Sequence, residues 1–97
     1  MITVNFYTTL RLMLSTKEIT IDCKDQMTIL EVLKHAEEII EKSLSKNFIW
    51  KLLDEDGNIK LGTIIMINGK NILDMDGLEC MVSPGDTIAL FPPGGGG

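Results

Sequence analysis

One segment constrains the fold more than any other. Thr28-Ile29-Leu30-Glu31 fits a capping box, in which the Thr28 hydroxyl accepts the backbone N–H of Glu31 and the Glu31 carboxylate reaches back three residues. Met27 and Val32 stand where a hydrophobic staple would close over that start. Ile29, Val32, Leu33, Ala36, Ile39 and Ile40 then recur at helical spacing, and Leu44 extends the stripe. Glu31, Lys34, Glu38 and Lys42 lie on the opposite side. The spacing predicts a helix over residues 28–44, with Ser45-Lys46-Asn47 as its exit. A lone helix cannot bury its own apolar stripe, so the rest of the chain must supply a surface to cover it.

That surface reads as strands. Ile2, Val4 and Phe6 alternate with Thr3, Asn5 and Tyr7, which predicts a first strand over residues 2–8. Ile19, Ile21 and Cys23 alternate with Glu18, Thr20 and Asp22 and predict a second. The link between them is long for a tight hairpin but short enough for antiparallel neighbours. Phe48, Ile49, Trp50, Leu52 and Leu53 are apolar but fit neither period, and residues 48–62 stay unassigned apart from a turn at Asp56-Gly57. The apolar run over residues 63–67 predicts a strand buried on both faces. Asn68-Gly69 predicts a type I′ turn, with a short return strand over residues 71–73. Ser83-Pro84-Gly85-Asp86 suits a type II turn, and residues 87–91 form the last strand. The order is strand, strand, helix, strand, short strand, strand. It describes an α+β domain, with one main helix packed across a mixed four- to five-stranded sheet. The β-grasp, or ubiquitin-like, fold has this order.

Composition narrows the function. Ninety-seven residues make one domain, and a net charge of −5 argues against nucleic acid, whose phosphates want a basic face. Cys23 and Cys80 are too few for a disulfide framework or a four-cysteine metal site, and are expected as reduced thiols. No signal peptide or membrane-length apolar run is evident, so the expected location is cytoplasmic with no membrane contact. His35 reads as a surface residue and Asp54-Glu55-Asp56 as a solvated acidic turn. Gly57-Asn58-Ile59-Lys60-Leu61-Gly62-Thr63 grazes the P-loop spacing but lacks the lysine after its second glycine.

The sequence closes with Phe91-Pro92-Pro93-Gly94-Gly95-Gly96-Gly97. Nothing after Pro93 has a side chain, so this segment cannot pack a core, and its reactive group is the Gly97 carboxylate. The expected organisation is a domain over residues 1–91 and a flexible tail over residues 92–97. From Phe91 to Gly97 the tail reaches about 20 Å, at roughly 3.3–3.6 Å per residue. Glycine suits a channel too narrow for Cβ atoms, and Pro92 and Pro93 stiffen the base.

Three stretches resemble the sulfur-carrier branch of ubiquitin-like proteins, the MoaD/ThiS family. They are Val4-Asn5-Phe6-Tyr7-Thr8-Thr9-Leu10-Arg11, then Met66-Ile67-Asn68-Gly69, then Pro84 through Pro93 with the glycines that follow. The Pro-Pro pair is closest in pattern to the small subunit of molybdopterin synthase. The resemblance implies a protein that is not itself an enzyme and binds no cofactor. A ubiquitin-activating-type adenylating enzyme would use ATP to adenylate Gly97. A sulfur donor, typically a persulfide enzyme, would leave a thiocarboxylate there. The molybdopterin synthase large subunit would receive the sulfur for molybdenum or tungsten cofactor synthesis. Gly96 and Gly97 would enter the partner's active site, with Gly94 and Gly95 supplying length. Arg11, the only arginine, would form a salt bridge to the activating enzyme. Tyr7 and Phe91 are expected on the outward sheet face beside the tail, where aromatics also anchor partners. The alternatives are a sulfur carrier for thiamine, tRNA thiolation or another pathway, a modifier joined to lysines through Gly97, and a β-grasp interaction or RNA-binding module.

Overall fold

A computed structural model describes residues 1–94. The chain runs β1 (Ile2–Phe6), α1 (Thr8–Leu14), β2 (Glu18–Ile21), β3 (Met27–Thr28), α2 (Ile29–Leu44), α3 (Ile49–Leu52), β4 (Ile64–Ile67), β5 (Lys70–Asn71), β6 (Met81–Val82) and β7 (Thr87–Phe91). Two short 3₁₀ turns, Ile72–Asp74 and Gly77–Glu79, link β5 to β6. The main sheet has the order β2-β1-β7-β4-β5, and β3 pairs with β6 in a separate ribbon. All pairings are antiparallel except β1 with β7, which run parallel in the centre. With α2 across one face, this is the β-grasp arrangement expected from the element order.

Period-two alternation sorts the sheet residues by face. Ile2, Val4, Phe6, Ile65, Ile67, Ile88 and Leu90 are buried, and Ile29, Val32, Leu33, Ala36 and Ile40 of α2 join them in the core. Phe6 meets Phe48 edge-on, with ring centroids 5.3 Å apart. Burying side chains of this size contributes about 1.5–3 kcal/mol each. The capping box forms as expected: the Glu31 N–H donates to the Thr28 hydroxyl at 3.2 Å and the Thr28 N–H to the Glu31 carboxylate at 3.1 Å. Asn68 and Gly69 both take positive φ, +49° and +84°, as a type I′ turn requires. Gly85 has φ +98° and the Asp86 N–H donates to the Ser83 carbonyl, which fits the type II turn.

The link between β1 and β2, which pair antiparallel as expected, is the helix α1, held by Leu10 and Leu14 one turn apart and both buried. Four expectations change. The first strand ends at Phe6 instead of residue 8, because Thr8 opens α1. Cys23 lies beyond the end of β2, half-buried. β4 is buried on one face only, with Ile64 37% exposed. The return strand is β5, two residues long, and residues 72–74 turn into a 3₁₀ helix whose start is capped by the Asn71 side chain. Residues 48–53 are organised from a distance. The Glu37 carboxylate of α2 accepts the N–H groups of Phe48 and Ile49, both at 2.9 Å, and so starts α3.

Thr28→Ala should lower the unfolding free energy by about 1 kcal/mol, measured by urea titration at neutral pH. The Glu31 carboxyl is held below its ordinary value of 4.5, first by the hydrogen bond from the Thr28 backbone and then by that from its hydroxyl. A depressed carboxyl stabilises fully above its unfolded titration point, and that stabilisation is lost as pH falls through the folded one. Glu31→Gln should therefore flatten the acid limb of the stability profile; an unchanged limb would contradict the cap assignment.

Candidate functional site

The residues singled out in the sequence converge on one end of the central strand pair. Phe91 ends β7, which lies between β1 and β4. The Tyr7 N–H donates to the Leu90 carbonyl at 3.1 Å, which carries the β1–β7 ladder one residue past β1. That bond and the outward parity of both residues bring the Tyr7 and Phe91 rings into a stack, with centroids 4.4 Å apart and planes at 11°. Both are half-buried. Ile64 stands opposite Phe91 in the β4–β7 register, so the row runs Tyr7, Phe91, Ile64 across three strands.

Arg11 joins this end through α1, not through a loop. Thr8, immediately after Tyr7, takes φ +51°, a conformation that costs a β-branched residue about 1–3 kcal/mol. This sharp corner turns the chain from β1 into α1, whose first turn closes when the Arg11 N–H donates to the Tyr7 carbonyl at 3.3 Å. Arg11 is exposed. A small groove of about 100 Å³ is lined by Asn5, Phe6, Tyr7, Arg11, Lys17 and Glu18, so two cations and one carboxylate border the Tyr7 position.

Beyond Phe91 the path of the chain is set by packing. Pro92 is buried, Pro93 half-buried and Gly94 exposed with φ +65°. The expected roles of Gly95, Gly96 and Gly97 lie outside the described residues. Around the tail base the sequence reading missed residues 60–64. Leu61 is 99% exposed and Gly62 lies against Pro93. The only sequence signal there was the glycine pair that grazes a P-loop spacing, and it pointed to phosphate instead.

The remaining features carry less. A groove of about 800 Å³ lies between α2, α3 and the acidic turn, and includes Leu30, Lys34, Trp50 and Leu53 but none of the expected site residues. The Asp54 carboxylate of that turn is occupied, accepting the N–H groups of Asp56 and Asn58. His35 is exposed, as expected. Among the described residues no group of three His, Cys, Asp or Glu side chains is placed to hold a metal ion. No helix among them is long and apolar enough to cross a membrane.

A glycine-rich C-terminal sequence after the central strand of a mixed five-stranded sheet, with one main helix across it, defines a ubiquitin-like protein of the β-grasp class. The chain belongs to the ThiS family, whose profile matches residues 4–97. It is 28% identical over 94 residues to small archaeal modifier protein 3 of Haloferax volcanii, a match covering 97% of this chain and 96% of that one. In fold it is similar to small archaeal modifier protein 1 of Methanosarcina acetivorans, with a TM-score of 0.74 and 24% identity over 99% of this chain and 95% of the other. It is also similar to a chain in the BexX/CysO complex of Amycolatopsis orientalis, with a TM-score of 0.76 and 23% identity over 100% of both chains.

The Tyr7–Phe91 stack should show as coupling. A double-mutant cycle with Tyr7→Ala and Phe91→Ala should give an interaction of about 0.5–1.5 kcal/mol in urea unfolding. Strict additivity would mean that the two rings do not support each other.

Proposed function

We propose that this chain carries sulfur on the carboxyl carbon of Gly97. The observation that carries the reading is the placement of the tail. It leaves the end of the central strand β7, beside a stacked aromatic pair and an exposed arginine. Residues 1–91 act as the body and residues 92–97 as the arm, with buried Pro92 fixing the base of the arm. The family profile extends through residue 97, which supports a role for the last glycines.

The chemistry follows from a carboxylate being a poor acylating agent. A carboxylate oxygen of Gly97 attacks the α-phosphorus of ATP and releases pyrophosphate, giving an acyl adenylate. The terminal sulfur of a persulfide attacks the acyl carbon and AMP leaves. A thiol of the donor then attacks the inner sulfur of the resulting acyl disulfide, forms a donor disulfide and releases the thiocarboxylate. This chain contributes a side-chain-free arm for threading a narrow site and a surface that docks the body. Tyr7, Phe91 and Pro93 form the apolar part of that surface and Arg11 the ionic part, whereas Pro92, expected to touch the partner, is buried in the body and serves only to anchor the arm. Gly94 and Gly95 supply reach, and Gly96 and Gly97 enter the active site.

The adenylating partner is of the ubiquitin-activating type. That a chain of similar fold is found in complex with another protein, BexX, supports a carrier that works on a partner's surface. We assign the sulfur to a molybdopterin synthase large subunit, in molybdenum or tungsten cofactor synthesis, because Pro92-Pro93 precedes the glycines. A second reading, conjugation to target lysines through Gly97, is favoured by the name of the Haloferax volcanii relative, a modifier. Intact-mass analysis of the protein purified from its own host separates the readings. A replacement of oxygen by sulfur at the C-terminus is expected, and it should vanish when Gly96 and Gly97 are deleted while the circular dichroism spectrum stays unchanged. Ladders of conjugates with no sulfur-bearing form would favour the modifier, and an unmodified terminus in every preparation would contradict both.

A further inference from the structure

One element outside the expected set touches the tail. The chain turns at residues 60–63, where the Thr63 N–H donates to the Lys60 carbonyl at 3.0 Å and Gly62 has φ +91°. This turn is tied to the core. The Leu52 carbonyl accepts both the Lys60 N–H at 2.9 Å and the Thr63 hydroxyl at 3.2 Å. Leu52 is fully buried and Thr63 is 3% exposed. The Lys60 ammonium lies 5.9 Å from the centroid of the Trp50 ring, within cation–π range. The turn therefore holds its place independently of the tail.

Gly62 faces the tail directly. A Cβ at this position would meet Pro93 Cβ at 3.2 Å, Pro93 Cα at 3.5 Å and the Gly94 nitrogen at 3.7 Å. All three neighbours belong to the tail base, and the first is closer than side chains ordinarily pack. Gly57 offers an internal comparison: it has nearly the same backbone angle, φ +82°, but nothing within 4 Å of its notional Cβ. Backbone freedom explains both glycines, whereas only Gly62 is also required by a close approach. On the crest of the same turn stands Leu61, 99% exposed.

We infer that the turn at residues 60–63 is a guide for the tail and a docking element for the enzyme that adenylates it. Gly62 is a positioning residue that sets the line along which Pro93 and Gly94 leave the body, and Leu61 inserts into an apolar socket of that enzyme. The inference rests on the sulfur-carrier reading above. Its physical basis is the shortness of the arm. Residues 94–97 reach at most about 14 Å beyond Pro93. An enzyme that holds the Gly97 carboxylate against ATP must therefore cover the tail base, where Leu61 adjoins the glycine beneath Pro93. Single exposed leucines are ordinary. This one sits on a turn already fixed to the core, so docking it costs little ordering entropy.

The test pairs the two glycines. Gly62→Ala and Gly57→Ala carry the same backbone strain, but only the first adds an atom against the tail. ATP–pyrophosphate exchange is measured with the adenylating enzyme of the same host and each full-length variant. Gly62→Ala should lower kcat/KM by about ten- to a hundredfold through misplacement of the terminus. Gly57→Ala should stay within about twofold, as a surface change does, and Leu61→Ser should raise KM with kcat unchanged. In the free protein, the Gly94 amide resonance should move in Gly62→Ala and stay in Gly57→Ala. If Gly62→Ala fails to fold, Gly62→Asn tolerates the left-handed angle and carries the same Cβ. Equal losses for the two glycine variants, or a stationary Gly94 resonance, would overturn the positioning role; a Leu61→Ser variant with unchanged KM would overturn the docking role. A wild-type chain that supports no exchange would overturn the carrier reading and Leu61 docking with it, while the Gly94 resonance still decides Gly62.

Discussion

The parallel pairing of β1 with β7 is the constraint on which the rest of the molecule depends. It joins the first strand to the last through Thr3 with Thr87, Val4 with Ile88, Asn5 with Ala89 and Phe6 with Leu90. A strand at the end of a chain is free to lie at a sheet edge, where its departure would be loosely held. Here β7 has β1 on one side and β4 on the other, so both rows of its backbone groups are paired. The tail base is therefore fixed by hydrogen bonds on two sides and by Ile88 and Leu90 in the core. Contacts this distant in sequence are slow to form, because the loop between them must close first. The fold accepts that kinetic cost, and the result is a firmly held point of departure.

From this pairing the site follows. Outward residues of adjacent strands come into line, which stacks Tyr7 on Phe91 and sets Ile64 beside it. The same register places α1, with Arg11, just beyond the end of β1. Buried Pro92 continues the packed body one residue past the strand. An arm that is stiff at its base and unbranched at its tip loses less entropy on docking than one that is flexible throughout.

What could be read in the sequence was what local chemistry decides. The capping box names both of its partners within four residues, and α2 begins where Thr28 and Glu31 place it. Asn68-Gly69 and Pro84-Gly85 announce turns because few other residue pairs accept those angles. The strands β1 and β7 alternate without interruption. What could not be read was settled by distant groups. α1 spans only two turns and buries just two leucines fully, too few to establish a period. α3 starts because Glu37, eleven residues before Phe48, accepts its first N–H groups. β4 looked buried on both sides because Ile64 and Met66 are apolar, yet they face outward beside Phe91 and Ala89. Of the candidate site, Tyr7, Arg11 and Phe91 were singled out by the resemblance at both ends of the chain, and β1, α1 and β7 bring them to one end of the sheet. The turn at Leu61 and Gly62 was not, since its meaning comes from Pro93, thirty-one residues later in the chain.

The central claim is that the Gly97 carboxyl carbon is the reacting atom and that the body stays intact around it. It is tested most directly by labelling the nine glycines with carbon-13 at the carboxyl position and recording spectra as ATP, the adenylating enzyme and a persulfide donor are added. One resonance, that of the single glycine bearing a free carboxylate, should move to a thiocarboxylate position while the amide carbonyl resonances of the other glycines in the body hold. If that resonance stays in place, or if it moves to an amide position, Gly97 does not carry sulfur and the account is wrong.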